Sequence, residues 1–399
     1  MRQWSARAGQ PLGRCLTLSS GALAALLIPL AAAPAAARLY GAQSFESPAL
    51  LSSALAVTGT AACGRMESAL MLSDTAKTAS RRFALCRAVC AAVSAALAPV
   101  CILFSFQGAW VFLLPIGTLL TGWYAAEQAF ALTRGAERAA AAANVLRAGC
   151  GAVLQFALYP LGGERALLFS PLLSYAAGIG LLALSRERTD AYSAQILLEE
   201  ARGLSGFWKQ LLPGALAMQA ALNLQSFVLS ARQDGILAAW WMVNRLFAVL
   251  LAVISSPAGQ IFSRELAVTR PSDRKRLFRS FSFVLGALAV VAALGTVLFS
   301  PLLLFLLGPG WEKTPALIRL LLPLFTVRMV VSPLSNAAVA QGRCRAVLIW
   351  QASLLGMSIL CAALPLGGFD YLICTQAALC AGYLFFYFYC RALLRREQV

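Results

Sequence analysis

The chain of 399 residues is 60% hydrophobic and only 12% charged, with a mean hydropathy of +0.74. A water-soluble domain lies nearer half apolar and a quarter charged, so this excess cannot be buried in one globule facing water. The net charge of +17 sits at the ends of apolar runs rather than along one polar face, which excludes a nucleic-acid-binding protein and leaves an integral membrane protein.

The basic N-terminus, MRQWSARAGQPLGR, leads into an apolar run from Cys15 to Ala37. The small residues of AAAPAAA offer a signal-peptide cleavage site, but the run is longer than a signal core and is taken as a retained first span. About 20 apolar residues cross a bilayer as a helix. On that measure the predicted spans are 15–37, 48–66, 83–106, 109–132, 139–160, 166–185, 208–231, 235–262, 281–304, 315–340, 346–366 and 369–391, twelve in all. Pro29, Pro115, Pro213, Pro257 and Pro333 fall inside them, which membrane helices tolerate where neighbours or water satisfy the freed backbone groups.

With the N-terminus inside, 24 of the 33 basic residues fall on the cytoplasmic side, four (Arg38, Arg165, Arg232 and Lys313) fall outside, and five lie within spans. Such a bias sets both termini in the cytoplasm. The longest polar connections are Ser185–Lys209, with an amphipathic piece suited to the inner surface, and the very basic Ser263–Arg279. They divide the chain into an N-terminal six-helix bundle, 1–185, a cytoplasmic connecting loop, 186–207, and a C-terminal six-helix bundle, 208–399. GRMESAL after the second span is echoed by SRELAV after the eighth, and two like halves are a common transporter plan with the substrate site between them.

No histidine, GxSxG, Walker loop or paired-carboxylate motif is present, so the sequence offers neither catalytic machinery nor a way to hydrolyse ATP. The eleven cysteines form no CxxC pair, lie mostly within spans and are read as compact packing residues, not metal ligands. The informative residues are the arginines inside spans. Arg87 and Arg319 lie near span ends, where the side chain can snorkel, whereas Arg147, Arg245 and Arg328 are deeper. An arginine at mid-helix costs on the order of 2.5–3.5 kcal/mol to insert, so it faces a cavity, a substrate or a partner. A guanidinium also matches phosphate oxygens two at a time. Glu127 is the chief acid at depth, either an ion-pair partner for an arginine or a ligand for a coupling ion. Asn223, Gln225 and Asn244 either contact sugar hydroxyls or hydrogen-bond between helices. Trp240, Trp241 and Trp311 are read as interfacial anchors, and Gly308–Lys313, GPGWEK, as a helix break.

ARLYGAQSFES (Ala37–Ser47) with GRMESALML, followed in order by FWKQLLPGAL, SSPAGQIFSRELAV, LLGPGWEK and VVSPLSNAAVAQGR, resembles the bacterial polysaccharide transporter family, the O-antigen type lipid-linked oligosaccharide flippases. The likeness departs in the alanine-rich TRGAERAAAAANVLR around Arg147. It implies an all-α fold of the multidrug, oligosaccharidyl-lipid and polysaccharide exporter superfamily, with about 12 helices in two six-helix bundles around a central cationic cavity. It also implies translocation of an undecaprenyl-pyrophosphate-linked oligosaccharide to the periplasmic leaflet of the inner membrane by alternating access. Arg245 is the position that fits the family pattern best. Alternatives are an ion-coupled multidrug exporter, which wants cavity acids, and the peptidoglycan lipid flippase, which usually has two more helices. No cofactor is implied beyond coupling to a proton or sodium gradient; the partners implied are membrane lipids, a polysaccharide polymerase and glycosyltransferases.

The charge bias predicts that Lys77, Lys209, Lys275 and both termini are cytoplasmic. Single cysteines placed there in a cysteine-free background should resist a membrane-impermeant thiol reagent in intact cells and react after permeabilisation. Labelling of position 275 from outside would overturn the topology.

Overall fold

A computed structural model describes residues 11–105, 108–186 and 192–396. Among them there is no strand. The long helices are α1 (Pro11–Tyr40), α2 (Glu46–Ala62), α3 (Ala76–Leu103), α4 (Leu114–Thr133), α5 (Glu137–Ala157), α6 (Ala166–Leu184), α7 (Ser205–Arg232), α8 (Leu237–Val268), α9 (Pro271–Leu307), α10 (Thr314–Leu334), α11 (Cys344–Ala363) and α12 (Gly368–Arg396). Among the described residues, eleven helical segments are long and apolar enough to cross a bilayer. The remaining long helix, α2, has 17 residues, about 26 Å at the usual rise, so about twelve membrane helices fit the chain. Arg2, Arg7 and Arg188, and part of the predicted connecting loop, lie outside the described residues.

The helix ends follow local chemistry. Pro115 sits in the first turn of α4, where its missing N–H costs nothing, so it begins a helix rather than breaking one. The predicted span 315–340 matches the segment Thr314–Ala340, which is broken at Ser335, after Pro333, into α10 and a short helix, Asn336–Ala340. GPGWEK does end a helix: Gly308 and Gly310 both take φ +87°, and Glu312 Oε1 accepts the Gly310 N–H at 2.9 Å. That hydrogen bond holds the exposed Glu312 carboxyl below its ordinary range.

By internal packing the chain forms two compact units, one of residues 1–36 and 50–212, the other of residues 37–49 and 213–399. In the first, α2, α3 and α4 approach closely around small residues and thiols. Cys63 Sγ donates to Gly122 O at 3.2 Å, and a Cβ at Gly122 would collide with Cys90 Sγ and come to 2.7 Å from the Ala62 Cβ. Cys63, Cys86 and Cys90 are all buried here, which is the environment of a small apolar side chain. The amphipathic stretch of the connecting segment forms a helix, Ala194–Gly203, whose Leu197 and Ala201 pack on this core. Arg82 fastens it, donating from Nε to Glu200 Oε1 at 2.9 Å and from Nη1 to Ala69 O at 2.7 Å, the latter within the short helix Met66–Met71.

The second unit includes the corner between α1 and α2. Phe45 lies edge-on to Trp311, ring centres 5.6 Å apart, and 6.1 Å from Trp241. Trp240 and Trp311 are 3% and 0% exposed, so two of the three tryptophans expected to anchor at the lipid interface are instead core residues covered by protein. Three of the four cations expected on the outer side have a structural use. Arg38 donates to Leu306 O at 2.8 Å and Phe305 O at 2.7 Å, capping α9. Lys313 Nζ donates to Asp234 O at 2.9 Å, while the Asp234 carboxylate accepts the Gly368 N–H. Arg232 gathers the carbonyl of Ala362 in the last turn of α11 and those of Leu364, Leu366 and Gly367 just beyond it, and stacks on Tyr371 at 4.6 Å. The last four carbonyls of a helix lack partners, and a guanidinium satisfies several at once.

Arg232→Ala should therefore lower the unfolding temperature of the detergent-solubilised protein by the equivalent of about 1.5–3 kcal/mol, with Arg232→Lys recovering part. Arg165→Ala, at an exposed position, serves as the neutral control. An unchanged midpoint in Arg232→Ala would contradict the capping role.

Candidate functional site

Arg147 is the eleventh residue of α5, about 15 Å from its start. Its guanidinium carbon lies 5.4 Å from the Tyr124 ring centre on α4 and 4.9 Å from that of Tyr175 on α6. The two rings meet edge to face at 5.5 Å. Gly178 makes room for this arrangement, since a Cβ there would approach Tyr124 Cε2 to 2.7 Å. Tyr124 Oη donates to Asn144 Oδ1 at 2.6 Å, and Gln128 Nε2 reaches the same oxygen at 3.1 Å. Arg147 Nε is buried without a hydrogen-bond partner. Ring faces carry partial negative charge, so they hold the cation without neutralising it.

Glu127, 4% exposed on α4, does find an arginine: Arg186 at the end of α6, Nη1 to Oε1 3.5 Å. Arg186 and Arg87 also lie 5.0 and 5.8 Å from the Phe83 ring, with Arg87 4.9 Å from Trp123. The partner therefore comes from the first residue of the expected connecting loop, just past the end of α6, not from one of the deep arginines.

In the second unit, Arg245 and Arg328 stand on neighbouring helices, α8 and α10. Phe247 and Phe325 join these helices at that level, stacked with ring centres 4.4 Å apart, and Ser255 Oγ donates to Met329 O at 3.1 Å. Arg245 is the ninth residue of α8, about 12 Å along it. Its contact is the ring of Trp241 one turn earlier, 5.3 Å from the guanidinium carbon; among the described residues it makes no ion pair and no hydrogen bond. Arg328 lies 6.0 Å from the Tyr383 ring, its Nε buried and unpartnered. Arg319 is exposed in the second turn of α10.

The amides divide differently. Asn223 donates to Gln219 O at 2.9 Å and Asn244 to Trp240 O at 3.2 Å, both within their own helices. Buried Gln225 accepts from Gln376 Nε2 at 3.0 Å, linking α7 to α12. This pair opens onto a polar patch that the sequence did not single out: Tyr371 Oη, Thr375 Oγ1 and Gln376 Oε1, all buried on α12 without partners. Their i, i+4 and i, i+5 spacing is the sequence signal that marks them, set among aromatic and apolar neighbours typical of an ordinary span. Among the described residues no group of His, Cys, Asp or Glu could hold a metal ion.

No protein-family model matches the chain, and no curated protein matches its sequence. Solved structures share its fold. An inward-facing multidrug resistance MATE family transporter of the MOP superfamily superposes with a TM-score of 0.64 at 17% identity, over 96% of this chain and 95% of that one. An outward-facing structure of such a transporter gives 0.66 at 14% identity, over 98% and 97%. A MOP superfamily transporter from Pyrococcus furiosus, described as having a binding pocket of reversed polarity, gives 0.64 at 14% identity, over 97% and 96%. The chain thus has the all-α, multi-pass fold of MATE-type transporters.

A Glu127–Arg186 pair in a partly dry setting should show coupling between its two members. Glu127→Ala and Arg186→Ala should each destabilise the purified protein, and the double variant should be more stable than the sum predicts, by about 0.5–3 kcal/mol. Additive losses would mean the two charges act independently.

Proposed function

We propose that this protein is a membrane flippase that moves an undecaprenyl-pyrophosphate-linked oligosaccharide from the cytoplasmic to the periplasmic leaflet of the inner membrane, for assembly of a cell-surface polysaccharide. The observation that carries this reading is Arg245, a cation near mid-membrane held by one aromatic ring and by no acid among the described residues. An unneutralised guanidinium at that depth is costly unless an anion completes it, and a pyrophosphate offers paired oxygens that match its fork. Arg328, on the helix that neighbours Arg245 and with an unpartnered Nε, is the further cation for the head group. Of the amides, Gln225 is buried and already bonded to Gln376, and Asn223 and Asn244 bond within their own helices, so a sugar hydroxyl would have to exchange with one of these bonds.

Alternating access supports this reading, since transporters of the same fold occur in inward-facing and outward-facing forms. The neighbour with reversed pocket polarity is a precedent for a different pocket charge on this fold. The same neighbours favour a second reading, an ion-coupled exporter of organic cations. That function calls for a free carboxylate near the substrate or coupling ion, and here the deep acid Glu127 is paired with Arg186.

Arg245→Ala should abolish export of lipid-linked glycan while the protein remains abundant in the membrane. Arg245→Lys should restore only part, because an ammonium lacks the bidentate fork. Export and membrane protein level are measured together; normal export by Arg245→Ala would remove the residue from the mechanism.

A further inference from the structure

The helix α9 is 37 residues long, about 55 Å, whereas the hydrocarbon core is about 30 Å thick. Counting back from its C-terminal end at Leu307, about 20 residues fill the core and reach residues 287–288. A tilt of ordinary size extends this by a few residues. The outward face of the helix agrees: Phe283, Val291, Leu298 and Phe305 are 79%, 67%, 76% and 72% exposed, a stripe of large apolar side chains suited only to lipid. The opposite face, with Phe278, Leu285, Ala289 and Ala293, is buried in the second unit.

The first turns of α9 therefore project past the core at the level of the phosphates, and they carry Arg274, Lys275, Arg276 and Arg279 against one acid, Asp273. These cations do not all point the same way. Arg274 turns back to the protein, its Nε donating to Thr269 O at 3.4 Å. Arg276 and Arg279 are exposed and make no ion pair or hydrogen bond among the described residues. Arg276 stands seven residues before Phe283, two turns lower on the lipid-facing stripe, and Arg279 stands one turn above Arg276. The stripe thus runs without interruption from acyl-chain contacts to a pair of arginines spaced i, i+3. Asp273 lies a further turn away from the membrane, in the first helical turn, where the backbone dipole favours a carboxylate.

We infer that Arg276 and Arg279 form a binding site for the phosphate of an anionic phospholipid whose acyl chains lie along Phe283 and the apolar stripe of α9. The bulk rule that lysines and arginines gather at the cytoplasmic face needs only charge in the loop. This site adds a direction, two side chains turned to the lipid and aligned with its tails. The proposal rests on the membrane-spanning reading but not on the transported substrate, so it stands or falls separately from Arg245.

The experiment is native mass spectrometry of the full chain, delipidated in mild detergent and offered phosphatidylglycerol and phosphatidylethanolamine in equal amounts. The wild type should retain phosphatidylglycerol in preference. At about fivefold per basic side chain near a membrane surface, Arg276→Gln with Arg279→Gln should weaken that binding by roughly thirtyfold. Arg276→Lys with Arg279→Lys should keep most of it, and Arg343→Gln with Arg345→Gln, two exposed arginines elsewhere, should leave it unchanged. Undiminished binding in the glutamine double variant would overturn the site. An equal loss in the control pair would show a diffuse charge effect, and displacement by millimolar inorganic phosphate would show a free-anion site in place of a lipid one; either result would also overturn it.

Discussion

A bilayer interior cannot hydrate a charge or an unpaired backbone group, and most of the specific features of this protein answer that constraint. At the helix ends the answer is capping: Arg38 on the last carbonyls of α9, Arg232 on those after α11. At intermediate depth it is the Glu127–Arg186 pair, flanked by Arg87 and the faces of Phe83 and Trp123. At the greatest depth it is aromatic. Arg147 between Tyr124 and Tyr175, Arg245 beside Trp241 and Arg328 near Tyr383 are held by rings that stabilise a cation and leave its charge available to an anion.

Much of this fold was legible because hydrophobic length is a local property. Apolar runs of about 20 residues, separated by basic loops, mark membrane helices with no knowledge of their neighbours, and Gly308 and Gly310 mark the end of α9 in the same way. What the sequence left open depends on residues distant in the chain meeting in space. Trp240 and Trp311 sit at span ends and look like interfacial anchors, but both are buried, Trp311 against Phe45 of the 37–49 segment. Arg186 looks like one more cytoplasmic arginine, yet it reaches Glu127 across 59 positions. Asn223 and Asn244 look free to bind sugar because the bonds they make, to a carbonyl one turn earlier, leave no trace in composition.

The same limit separates the fold from the substrate. The solved structures that share this fold are 14–17% identical to the chain, at which level helix lengths and packing persist while the chemistry of a binding pocket changes freely. The substrate must therefore be argued from charge. In the second unit Arg245 and Arg328 pair with no acid among the described residues, and in the first Glu127 is paired with Arg186, a charge balance that supports the proposed anionic substrate.

Proteoliposomes test that argument most directly. The purified chain, reconstituted with a fluorescent polyprenyl-pyrophosphate-linked oligosaccharide in both leaflets, should make the whole pool accessible to an impermeant quencher, whereas protein-free vesicles should expose only the outer half. Failure to exceed the outer half, together with gradient-driven movement of an organic cation by the same vesicles, would contradict the account.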